Sequence, residues 1–183
     1  MAILDEIKHS FRKGTILTKL IYINLTVFLV VNIAYVFYAL FNTGGNAMGD
    51  VRFYFMENWI SHLMVPASLS KLILKPWTLF TYMFLHFSFF HILFNLLWLY
   101  VFGRIFLQYL TEKQLLSTYI LGGFSGAFLF ILAYNVFPGL TATVEVAEML
   151  GASAGVMAVA MAISFYAPNY AIYLPFLGPV KLK

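Results

Sequence analysis

Apolar residues run without a charge from 21 to 41 (IYINLTVFLVVNIAYVFYALF). As a helix, that run is long enough to cross a hydrocarbon core of roughly 30 Å. The same pattern predicts spans over 83–103, over 115–134 and from Gly151 to Ala167. The stretch ahead of the first span is charged, as in a signal peptide. The apolar run, however, exceeds an h-region of about 7–15 residues, and no small-x-small cleavage site follows, so a retained first helix is expected. The fourth span is short. From Gly151 to Tyr166 it rises only about 24 Å, so its amino end should begin below the membrane surface. Residues 42–76 mix apolar clusters (Phe53, Tyr54, Phe55; Trp59, Ile60, Leu63, Met64) with Arg52, Glu57 and His62. That mixture predicts short helices in the membrane interface in place of a long structureless loop.

Composition narrows the class. A chain of 183 residues that is 62% hydrophobic and 10% charged lacks the polar surface of a soluble domain. The expected fold is all-α, a polytopic helical membrane bundle whose nearest partner is the lipid bilayer. Residues 1–20 are read as a cytoplasmic juxtamembrane segment and 21–183 as one membrane domain, with 42–76 as its interfacial loop. Eight of the eleven Lys and Arg fall on the side of the two termini and the second-to-third turn. The positive-inside rule then puts both termini in the cytoplasm, and the expected location is a bacterial inner membrane. A net charge of +4, dispersed along the chain, gives no footprint for nucleic acid and suits loops facing anionic lipid. There is no cysteine, which excludes disulfides, thiolate metal sites and a Cys nucleophile.

Polar residues inside the spans raise the question of chemistry. His91 and Asn95 are four apart and share one helix face. An unsatisfied polar group in hydrocarbon costs several kcal/mol, so both should face the bundle interior or a wet cavity. They serve equally well as hydrogen-bonding glue between helices or as donors in a site. His86 lies off that face, at the helix entrance. Ser153 sits among Gly151, Ala152, Ala154 and Gly155, at a helix amino end where free N–H groups favour a developing negative charge. The alternative for this stretch is packing, since Gly151 and Gly155 form a GxxxG pattern. Gly122 and Gly126 repeat that pattern on the third span, and there packing is the expectation. A serine at a helix start, two side-chain donors on a second helix and a small-residue wall are together the parts of a nucleophile and oxyanion site.

At these residues the chain resembles the rhomboid intramembrane serine proteases. HFSFFHILFN (86–95) is similar to the family's H-x4-H-x3-N signature on its second helix. GAS (151–153) is similar to the G-x-S motif opening its fourth, and PWTLFTYMFLH (76–86) fits the approach to helix two. The resemblance implies that Ser153 is the nucleophile cleaving transmembrane protein substrates. It further implies that His91, Asn95 and the Ser153 N–H stabilise the oxyanion, and that His86 orients the outer loop. No cofactor or metal is implied. The chain departs from the family at Ala154, where Gly is common, at Thr78, where many members carry Arg, and at Met157, where an aromatic is usual. The family has six core helices and a general-base histidine on the sixth. The four histidines here offer no such base, so a truncated record of a longer protein, inactive alone, is expected. A non-proteolytic rhomboid-like membrane binding protein is the alternative. A small channel or transporter lined by His91 and Asn95 is a third reading, weakened by the absence of an intramembrane carboxylate.

Overall fold

The computed structural model describes residues 2–42, 48–174 and 178–181. A helix α1 (Ala2–Lys13) leads through Gly14 and Thr15 into α2 (Ile16–Asn42). Residues 48–74 hold α3 (Met48–Asn58), a 3-10 turn at Ile60–His62, the two-residue strand β1 (Val65–Pro66) and α4 (Leu69–Leu74). Then come α5 (Thr78–Thr81), a 3-10 turn at Tyr82–Phe84, and two long helices, α6 (Phe89–Tyr109) and α7 (Glu112–Val136). The chain continues through α8 (Pro138–Thr141), β2 (Glu148–Met149), α9 (Ser153–Tyr166) and a hairpin of β3 (Ala171–Leu174) with β4 (Gly178–Lys181). The fold is a helical membrane bundle. Helices α2, α6 and α7 are each long and apolar enough to cross a bilayer. With 14 residues, α9 rises about 21 Å and cannot span one alone.

All four of these helices meet in one core, built from Leu17 and Leu20 of α2, Leu99 and Phe106 of α6, Leu115 and Tyr119 of α7, and Val159 and Ile163 of α9. The outward faces of the long helices carry exposed apolar side chains such as Val30, Phe37, Leu97 and Phe128, as lipid-facing surfaces do. The α7–α9 contact depends on small residues. A Cβ on Gly122 or Gly126 would strike Ala158 or Ala154, and one on Gly155 would lie 2.7 Å from the Tyr119 carbonyl oxygen. Packing, as expected, explains the glycines of α7.

The second span differs from its expected range. The helix begins at Phe89, six residues after the expected start, and runs on to Tyr109. Residues 83–88 are apolar enough to continue it, but Leu85 and Ser88 adopt extended backbone. Contacts distant in sequence hold them there, as described next. Gln114 and Thr111 form a capping box at the start of α7, which fixes a tight turn between α6 and α7. Short helices do occur between residues 48 and 76; residues 43–47 lie outside the described residues.

Candidate active site

The loop that delivers Ser153 is tied down along its length. Strand β2 pairs antiparallel with β1, Val65 opposite Met149 and Pro66 opposite Glu148. The Ala67 N–H donates to the Ala147 carbonyl at 2.9 Å, while Asn135 of α7 donates to the Ala67 carbonyl at 2.8 Å. Next, the Gly151 N–H donates to the Tyr82 carbonyl at 2.9 Å, and the Ala152 N–H donates to His86 Nε2 at 3.3 Å. These last two bonds explain the late start of α6: an extended 85–88 turns His86 toward residue 152. Accepting at Nε2 places the His86 ring proton on Nδ1, a buried atom without a partner among the described residues.

Gly151 has φ +120, a conformation that residues with a Cβ rarely adopt. Its missing side chain is filled by His91: a Cβ there would lie 2.7 Å from Cε1 and 2.8 Å from Nε2 of the imidazole. The pattern read as GxxxG thus splits, with Gly155 packing on α7 and Gly151 admitting a ring. The His86 and His91 rings meet edge-on, 4.9 Å between centroids.

Ser153 is the first residue of α9. Its N-cap neighbour Ala152 supplies no side-chain bond, and the first helical hydrogen bond runs from the Val156 N–H to the Ala152 carbonyl. The N–H groups of Ser153, Ala154 and Gly155 therefore have no partner within the helix. The serine side is exposed, and its hydroxyl makes no hydrogen bond among the described residues. Ser153 and Asn95 line the same groove between α6 and α9, a volume of about 440 Å³ walled by Phe94, Trp98, Val156 and Met157. Asn95 is 8% exposed and donates one amide hydrogen to the His91 carbonyl at 2.8 Å, which leaves a second for another acceptor. Of the three sequence-predicted residues, Asn95 and Ser153 line one groove, whereas His91 is not among its lining residues and packs against Gly151, two residues before Ser153.

Elsewhere along this loop lies a charged cleft. Lys71 pairs with Glu145 at 3.7 Å, Ser68 donates to Glu145 at 3.0 Å, and Glu57, Lys75 and Glu148 share the lining with the apolar Phe53, Met56, Met64 and Val146. Burial pushes the Glu148 carboxyl above its ordinary value and Glu57 adds to that, while Lys75 and Lys71 oppose it.

Sequence reasoning missed two groups of positioning residues. Tyr82 holds Gly151 with its carbonyl and the Gly123 carbonyl with its hydroxyl, at 2.6 Å. Asn24, fully buried, donates to the Tyr119 hydroxyl at 3.3 Å, which donates to the Met83 carbonyl at 3.2 Å. The available signal was an amide inside an otherwise apolar span.

The Rhomboid domain family model matches residues 74–181, which contain all of the residues placed around the groove. No curated protein and no solved structure matches the chain.

Proposed function

We propose, from the premise that this chain belongs to the rhomboid family, that it is an intramembrane serine endopeptidase acting on transmembrane protein substrates. The observation that carries the reading is the groove shared by Ser153 and Asn95 beside an open helix amino end. In this reading the Ser153 hydroxyl attacks a substrate carbonyl carbon, forming a C–O bond and placing negative charge on the carbonyl oxygen. The Ser153 N–H, the free Asn95 amide hydrogen and the His91 imidazole donate to that oxygen. Such donors each contribute about 10²-fold or more to kcat. The positive end of the α9 dipole acts in the same direction. The substrate segment would enter beside Met157 and Trp98, with both chain termini in the cytoplasm.

The hydroxyl proton needs a base. No imidazole hydrogen-bonds Ser153 among the described residues, and an unassisted serine is a weak nucleophile. The same observation favours a second reading, a non-proteolytic rhomboid-like protein that holds clients without cutting them. One reconstitution separates the two. The 183-residue chain is placed in liposomes with a transmembrane reporter, and imidazole is added as an external base. The protease reading expects cleavage that rises with imidazole, disappears in Ser153→Ala and falls about 10²-fold in Asn95→Ala. Cleavage indifferent to Ser153→Ala would reject it. Retention of an intact reporter, with no cleavage at any imidazole concentration, would establish the second reading.

A further inference from the structure

Away from the groove of Ser153, a larger one of about 630 Å³ runs between α1 and the first turns of α2. Its walls are Ile7 and Phe11 from α1 and Ile23 and Val27 from α2. Ile7, Phe11 and Ile23 are 44%, 40% and 38% exposed, so part of each apolar side chain is left uncovered among the described residues. Lys8 and Arg12 line the same groove, one helical turn apart. Neither makes an ion pair or a hydrogen bond among the described residues. The groove is also held open. Tyr22 donates to the Ser10 hydroxyl at 3.2 Å and its ring meets Phe11 at 6.3 Å, which fixes the angle between the helices. At the corner, a Cβ on Gly14 would collide with the Ser10 carbonyl and with Thr18.

We propose that this groove binds one anionic phospholipid, its acyl chain between α1 and α2 and its phosphate beside Lys8 and Arg12. Charge and shape both select that occupant. A pocket of this size with apolar walls and polar groups at one rim has the form of a small-ligand site. The corner between a membrane span and an amphipathic helix is where acyl chains meet headgroups. Two unpaired cations call for a ligand with net negative charge. A free phosphate would leave the apolar walls uncovered. A second copy of the chain, docked on this face by two-fold symmetry, would gather both copies' Lys8 and Arg12 into one interface with no counter-charge from the groove's own lining.

The test is native mass spectrometry of the full chain released from micelles containing equal amounts of phosphatidylglycerol and phosphatidylcholine. One phosphatidylglycerol should be retained in preference to phosphatidylcholine. Lys8→Gln with Arg12→Gln should remove that preference, about fivefold for each basic side chain lost, while Lys8→Arg with Arg12→Lys should keep it. Thr26→Trp, at an exposed position on the groove wall, should block retention of both lipids. Equal retention of the two lipids by the unaltered chain would overturn the proposal. So would a preference that survives loss of both cations, or displacement of the lipid by inorganic phosphate. A dimer that Thr26→Trp converts to monomer would assign the groove to a second copy instead.

Discussion

Gly151→Ala puts a methyl group where the His91 ring already lies. The added Cβ would sit 2.7 Å from Cε1 and 2.8 Å from Nε2, well inside ordinary contact. At φ +120 it would also force an L side chain into a sparsely populated backbone region, which costs roughly 1–3 kcal/mol. Crowding in a packed site adds about 1–3 kcal/mol. The sum, on the order of 2–6 kcal/mol, is a large part of the roughly 5–15 kcal/mol that holds a domain together. Part of the strain can be relieved if the His91 ring swings away, so the expected loss is about 2–4 kcal/mol together with a displaced imidazole. The assay is unfolding in mixed micelles, paired with nitrogen NMR of the histidine side chains. Gly139→Ala is the control: nothing lies within 4 Å of its added Cβ, so its effect should stay within about 1 kcal/mol. If Gly151→Ala unfolded like the unaltered chain and left the His91 resonances in place, the contact between this loop and α6 would be refuted.

Tyr119→Phe removes a hydroxyl that accepts from Asn24 and donates to the Met83 carbonyl; it strands buried polar atoms and should cost about 1–3 kcal/mol in the same unfolding assay. Glu148→Gln tests the charged cleft through pH. Burial raises the Glu148 carboxyl in the folded chain above its unfolded value near 4.5. The favourable contribution is therefore fully present below that value and is lost as pH rises through the folded one. Glu148→Gln should melt above the unaltered chain at pH 8, with the gap closing toward pH 4; a gap that widens on acidification would reverse the assignment.

How far the sequence revealed this fold varies from element to element. Uncharged runs of 20 residues or more have one reading in a bilayer, and α2 and α7 extend only a few residues beyond the expected ranges. The start of α6 was not legible. The apolar residues Met83, Phe84, Leu85 and Phe87 read as a continuation of the span, and the distant N–H groups of Gly151 and Ala152, bonded to the Tyr82 carbonyl and the His86 ring, accompany the extended backbone that interrupts it. The pairing of β1 with β2 escaped for a related reason: a two-residue strand has no periodicity. Small residues were legible as a class but not in function. Gly122, Gly126 and Gly155 allow helices to approach, whereas Gly151 admits an imidazole, and spacing alone cannot separate these uses. The amphipathic α1 is legible in the sequence only as a charged juxtamembrane segment, because its apolar side chains become informative once α2 closes a groove with them.

The central claim is that Ser153 and Asn95 open onto one cavity between α6 and α9. Because the chain has no cysteine, Ser153→Cys with Asn95→Cys introduces the sole pair of thiols, and a short bifunctional thiol reagent in native membranes reads their proximity. Rapid crosslinking of this pair is predicted, with none for Ser153→Cys combined with Phe128→Cys, which lies on the exposed face of α7. Both thiols reacting singly while the 95–153 bridge failed to form would contradict the account.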